Sequence, residues 1–259
     1  MDASVIVPLY VYPAMGAWDP GRFLPKDTIH YVVNVHNEPG EGVLPSAEYS
    51  HATETLNSFD NIRTVACVAT MWCARNLTSV LDEIAAYSFW GDYDESIAID
   101  GIFVDETPTQ YAPDYASYLQ TIAQAVYESD GIKDGYIGKA TFQLGTGAPG
   151  ATVHNPGALP DSKYFSEVLS PDLTIIFENT FSNWSIESCP LADASQQYNH
   201  SRLALLLHSV PELSIIDTAT TLVQLLAVGQ SVWLTGTNNY TELNGQFPQF
   251  IDCLATLLS

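Results

Sequence analysis

The sequence predicts an α/β protein built as a single-domain (β/α)8 TIM-type barrel over residues 1–259. Three observations predict it. At 259 residues the chain is long for one ordinary domain and short for two, and it matches the about 250 residues that this barrel uses as one unit. Short apolar runs alternate with longer helical patterns, the mark of repeated βα units and a parallel sheet. An apolar fraction of 46% can fill a sizeable core, and no linker, long repeat or low-complexity stretch divides the chain.

The elements follow in order. Residues 5–12 are rich in β-formers and stop at Pro13; residues 29–36 form a second run ended by Asn37-Glu38-Pro39-Gly40, and a helix is predicted over 47–59. The third run, 64–72, leads into Asn76-Leu77-Thr78-Ser79, which reads as a helix start before 80–87. The fourth, 97–104, is followed by Asp105-Glu106-Thr107-Pro108. Pro113-Asp114 then opens the clearest helix, with Tyr115, Tyr118, Leu119, Ile122 and Val126 at helical spacing. Residues 131–150 are glycine-rich and predict a hairpin excursion around 136–144. A short fifth strand, 151–154, ends at Asn155-Pro156-Gly157; the sixth covers 173–177 and reaches Glu178. The seventh is 201–208 and the eighth 231–235, with helices predicted over 214–228 and 247–258.

Charge narrows the function. Eight basic against 30 acidic residues give −22 at pH 7, and a surface that negative repels phosphate backbones, which excludes nucleic acid and disfavours anionic membranes. No apolar run reaches the roughly 18 residues of a membrane span; the best, 213–234, is broken by Asp217, threonines and Gln224. The start shows no leader pattern, so the chain reads as a mature domain. Four sequons, at Asn76, Asn183, Asn199 and Asn239, join the acidic balance in favouring secretion, to a cell wall or biofilm matrix. Four cysteines, Cys67, Cys73, Cys189 and Cys253, permit up to two disulfides in three pairings, although Cys67 sits in an apolar run and also reads as a buried thiol. A monomer is expected.

In a (β/α)8 barrel the active site is built where strands end. Those ends carry Tyr10 and Tyr12; Asn34, His36 and Asn37; Trp72 and Arg75; Asp105 and Glu106; Asn155; Glu178; His208; and Thr235, with Asn238, Asn239 and Tyr240 just beyond. Carboxylates, aromatics and amides are what a carbohydrate site needs. Aromatic faces stack on sugar rings, amides bond hydroxyls, and two acids cleave a glycosidic bond, one protonating the leaving oxygen while the other attacks the anomeric carbon or activates water. Burial and mutual repulsion can keep one of the acids protonated beside an ionised neighbour.

Asp105, Glu106 and Glu178 are the candidate catalytic acids. Each alone reads equally well as a surface acid among 30; three acids following apolar strand cores weigh more. Neighbours on a strand point to opposite faces, so Asp105 and Glu106 share the mouth only if the strand has already ended. Tyr10, Tyr12, His36, Asn155, His208 and Tyr240 are candidate substrate contacts, the two histidines reading first as hydrogen-bonded structural residues. Trp72, Trp90, Trp184 and Trp233 divide between sugar platforms and core, with Trp233 read as core and Tyr118 as helix packing.

Other chemistries fail. Gly145-Thr146-Gly147-Ala148-Pro149-Gly150 matches G-x-G-x-x-G by letters but leads into loop and strand, not helix. There is no G-x-S-x-G, no Walker A, and no H-E-x-x-H or paired C-x-x-C, so neither a zinc site nor any cofactor is expected.

Gly101-Ile102-Phe103-Val104-Asp105-Glu106-Thr107 resembles the strand-four signature of spherulin-4-like proteins, grouped as glycoside hydrolase family 135. Asn155-Pro156-Gly157, Phe177-Glu178, His208-Ser209, the opening Val7-Pro8-Leu9-Tyr10-Val11-Tyr12-Pro13 and the closing Asn239-Tyr240 extend the resemblance through nearly the whole chain. It implies a (β/α)8 barrel cleaving α-1,4-linked N-acetylgalactosamine in galactosaminogalactan, with Asp105 and Glu178 as the central acids and Glu106 assisting. Two departures bear on subsite shape: the long excursion at 131–150, and Asn37-Glu38-Pro39-Gly40 where a plain Asn-Pro-Gly would stand. The rivals are a barrel hydrolase for another amino-sugar polymer and a wall or spore-coat protein that binds glycan without turnover.

Overall fold

A computed structural model describes residues 3–14, 18, 30–36, 42–133, 150–166, 170–238, 240 and 245–259. Eight strands run β1 Ser4–Pro8, β2 His30–His36, β3 Ile62–Ala69, β4 Gly101–Asp105, β5 Ala151–His154, β6 Leu173–Thr180, β7 Leu203–His208 and β8 Ser231–Leu234. All neighbours are parallel and in chain order, and β8 pairs back to β1 through Ser4 with Ser231 and Val5 with Val232. The Ser4 and Ser231 hydroxyls, 2.5 Å apart, tie that seam. β1, β5 and β8 are buried along their full length, and β3, β4, β6 and β7 are buried but for their ends, as strands covered on both faces must be.

Six α-helices lie among the described residues: α1 Ala47–Asn57, α2 Leu77–Tyr93, α3 Pro113–Tyr127, α4 Phe181–Ser195, α5 Ile215–Leu226 and α6 Phe247–Leu258. Side-chain oxygens of Ser46, Asn76, Thr180 and Ser214 accept the first free N–H groups of α1, α2, α4 and α5, while α3 starts with Pro113 and α6 has Pro248 as its second residue, neither with an N–H to satisfy. These caps fix where each helix leaves the rim, and so how far each βα loop reaches over the barrel mouth.

The α/β class with a parallel sheet stands, with six α-helices among the described residues. After β5 the described chain makes only a 3-10 turn, Ser162–Phe165, in a stretch interrupted by Pro156, Pro160 and Pro171. The link from β1 to β2 falls mostly outside the described residues, as does the excursion expected at 136–144. Helix α4 escapes sequence reading because Pro190 stands inside it and its apolar residues do not gather on one face. β1 is shorter than the apolar run that predicts it, ending at Pro8, so residues 9–12 belong to a loop.

None of the four cysteines is in a disulfide; Cys67 and Cys253 are buried, Cys73 half-buried and Cys189 exposed. The disulfides that the even count permitted are therefore not formed. Three of the thiols serve as packing atoms instead.

Strand β4, which delivers the first acid, is seated by a close backbone approach. A Cβ on Gly101 would lie 2.3 Å from the Ala151 carbonyl oxygen of β5. Gly101→Ala is expected to destabilise the chain by about 2 kcal/mol, read as a lower urea midpoint at unchanged slope. A midpoint equal to wild type would show that β4 and β5 can part without loss.

Candidate functional site

Strand β4 ends at Asp105, and Glu106 turns into the left-handed region with φ of 53°. That turn breaks the alternation that would send the two neighbours to opposite faces. It is held from β3: the Thr70 hydroxyl donates to the Asp105 carbonyl at 3.0 Å and to the Glu106 carbonyl at 2.8 Å, and the Thr70 N–H donates to the Asp105 carbonyl at 3.0 Å. Asp105 Oδ1 in turn accepts the Glu106 N–H at 2.9 Å.

Asn155, one residue past β5, joins this acid to β6. Its Nδ2 donates to Asp105 Oδ1 at 2.9 Å and to Glu178 Oε2 at 2.7 Å. The amide cannot be turned round, because its Oδ1 accepts the Gly157 N–H at 3.1 Å and needs to remain the acceptor. Gly157 takes φ of 67°, which suits glycine, and its carbonyl accepts the Glu178 N–H at 2.9 Å. The Asn155 backbone is held as well, its N–H donating to the Val104 carbonyl and its carbonyl accepting from Thr107. Three strand ends are thus locked around one amide group. Its two hydrogens go to different carboxyl groups, so both are held against one nitrogen.

Burial pushes the Asp105 carboxyl up to about 6, the charges of Glu178 and Glu106 adding to the effect while the Glu106 N–H and the Asn155 amide oppose it. Tyr240 is buried, with its hydroxyl turned toward Glu178. Burial first, and the nearby Glu178 charge second, hold that hydroxyl well above its ordinary value. Its ring meets Tyr10 edge-on at 6.1 Å and His208 edge-on at 6.4 Å. His208 Nδ1 lies 3.0 Å from the Ser209 hydroxyl. Tyr10, His208 and Tyr240 therefore form an aromatic wall beside Glu178.

Of the residues chosen from sequence, Asp105, Glu106, Glu178, Asn155, Tyr10, His208 and Tyr240 come together. Tyr12 does not join them: its hydroxyl contacts Ser46 and donates to Glu48 at the start of α1, and its ring packs on Tyr49. The loop after Pro8 carries it there, where a strand would have alternated it inward. His36 closes β2, but its side chain lies outside the described residues. Trp90, Trp184 and Trp233 are core, whereas Trp72 is exposed. Thr70 was not singled out from sequence; its position at the end of the third apolar run, beside Trp72, was the available signal. No group of three His, Cys, Asp or Glu among the described residues is placed to hold a metal.

The family model for spherulation-specific family 4, Spherulin4, matches residues 4–254. The crystal structure of Aspergillus clavatus Sph3 in complex with GalNAc superposes with a TM-score of 0.84 at 32% identity, covering 98% of each chain. A DUF72 family protein from Enterococcus faecalis superposes with a TM-score of 0.51 at 10% identity over 98% of each chain, a likeness of fold alone. Comparison with curated proteins gives no match.

The raised Asp105 carboxyl fixes a pH dependence of stability. Unfolded, the group loses its proton near its ordinary value of 3.8; folded, it keeps it to about 6. The folded chain binds the extra proton between those limits, so this group lowers stability as pH rises from about 4 to about 6. Asp105→Asn is expected to be more stable than wild type at pH 7, by on the order of 2 kcal/mol, and to lose that advantage at pH 3 to 4. Urea midpoints at the two pH values check it; an equal difference at both would contradict the assignment.

Proposed function

The chain belongs to the Spherulin4 family, and from that premise we propose that it is an endo-acting glycoside hydrolase for polysaccharide containing α-1,4-linked N-acetylgalactosamine. The observation that carries the reading is the single Asn155 amide held between the Asp105 and Glu178 carboxylates. The 32% identical Sph3 structure with GalNAc supports the sugar class. The eight parallel strands, with β8 paired to β1, support a complete (β/α)8 barrel over one domain as the scaffold.

Two acids held against one amide nitrogen stand close, which favours a retaining glycosidase, in which one attacks the anomeric carbon and the other protonates the leaving oxygen. The covalent glycosyl-enzyme is then hydrolysed by water, which the second acid deprotonates. Inverting enzymes hold their acids wider, to seat a water between acid and sugar. Asn155 keeps both carboxyl groups aimed at one point, and Glu106 places a further carboxyl group beside Asp105 at the mouth. Tyr10, His208 and Tyr240 bound the sugar on the Glu178 side. A net charge of −22 draws in a polymer carrying free amino groups.

Secretion fits the same reading, and no helix among the described residues is long and apolar enough to cross a membrane. The sequon residues Asn76 and Asn199 are exposed, while Asn183 is half-buried with its amide nitrogen bonded to Asn179. Glycan is therefore expected at Asn76 and Asn199 before Asn183.

The test is reducing-end release from purified galactosaminogalactan. Asp105→Asn and Glu178→Gln are each expected to reduce it by about a thousandfold or more, and Glu106→Gln by less. The first product is expected to keep the substrate's α configuration, read by proton NMR. Undiminished hydrolysis by both Asp105→Asn and Glu178→Gln would end the catalytic assignment.

A further inference from the structure

We propose that Trp72, with Met71 beside it, is a stacking platform for a sugar ring of the polymer next to the catalytic centre, a binding role that rests on the hydrolase reading above. All five tryptophans lie among the described residues. Trp18, Trp90, Trp184 and Trp233 are at most 3% exposed, whereas Trp72 is 58% exposed and Met71 52%. Two large apolar side chains exposed side by side mark a place where a ligand face can land.

The backbone beneath them is strained in a way an idle loop would relax. Met71, Trp72 and Cys73 take φ of 50°, 54° and 66°, three successive left-handed residues without a glycine. Each costs about 1–2 kcal/mol against the right-handed form. The Trp72 N–H donates to the Glu106 carbonyl at 2.7 Å, Ala74 N–H to the Met71 carbonyl at 2.9 Å, and Arg75 N–H to the Thr70 carbonyl at 3.1 Å. The Arg75 guanidinium donates to the Ala69 carbonyl and pairs with Glu83, closing the base of the turn. Thr70 bonds the carbonyls of both Asp105 and Glu106. The turn that raises Trp72 is thus fastened to the same two residues that carry the acids, and Trp72 stands one backbone hydrogen bond from Glu106.

The ligand chemistry follows from the ring. The axial hydroxyl of a galacto-configured pyranose leaves its C–H bonds gathered on one face, and an indole presents a flat, electron-rich surface to them. A free amino group on such a sugar gains further from the indole face. A polymer crossing the Asp105 and Glu178 pair would lay its neighbouring residue on Trp72, so the platform acts on chain binding and leaves bond cleavage to the acids.

Trp72 is the exposed tryptophan, so the acrylamide-quenchable fraction of the fluorescence reports on it. The Glu178→Gln chain is titrated with N-acetylgalactosamine oligosaccharides, with calorimetry and acrylamide quenching on the same samples. Quenching is expected to fall as the site fills. In the active chain, Trp72→Ala is expected to raise KM for oligosaccharides about tenfold with kcat little changed, and Trp72→Phe to retain most of the affinity. Calorimetric binding with unchanged quenching would remove the platform and leave the hydrolase reading standing. Absence of binding by calorimetry, together with no hydrolysis by wild type, would overturn both.

Discussion

The structure turns on one amide. Asn155 Nδ2 carries two hydrogens, and each is given to a different carboxylate, Asp105 from β4 and Glu178 from β6. Two half-buried acids so close repel each other, and without a donor between them their side chains would swing apart. The amide removes that freedom while leaving the charge in place, and its own orientation is fixed from behind by Gly157. Everything that supports the site, from the Asn-Pro-Gly turn to the register of β4, β5 and β6, serves to keep that donor in the gap.

Parallel strands supply this arrangement naturally. Adjacent strands end at the same rim, so residues at the carboxyl ends of β4, β5 and β6 become neighbours although they are widely spaced in the chain. The strands need only end in step. Burial then does the chemical work: it raises the Asp105 carboxyl to about 6, into the range where a carboxyl can still hold a proton near neutral pH. The same burial destabilises the ionised acid, so the site stands against the stability of its own fold. The remaining strain sits nearby, in the left-handed backbone at residues 71–73 and at Glu106, Ser209 and Tyr240, all at strand ends or in the loops that follow them.

Much of this was legible in the order of residues. The alternation of apolar runs and helical patterns placed eight strands, with 151–154 and the helix at 247–258 matching their observed bounds. The acids were found because they follow apolar strand cores. Where reading failed, a local signal was missing or misleading. Helix α4 has Pro190 inside it and no apolar stripe; the stretch after β5 is broken by prolines; residues 9–12 look like strand but follow Pro8 into a loop that takes Tyr12 to Glu48. The even count of cysteines invited disulfides, yet pairing depends on distance between thiols, which spacing along the chain does not encode.

By itself the sequence determined the class of the fold and the kind of chemistry at its rim, because burial periodicity and residue type are local properties of the chain. It supplied Asp105, Glu106, Glu178 and Asn155 as separate strand-end residues. Only the tertiary structure decided that one amide spans two of them, that Glu106 reverses its backbone to join Asp105, and that Trp72 stands in water while the other tryptophans are core. These are relations between strands, fixed by register and by hydrogen bonds across dozens of residues. No pattern within a short stretch of sequence carries them.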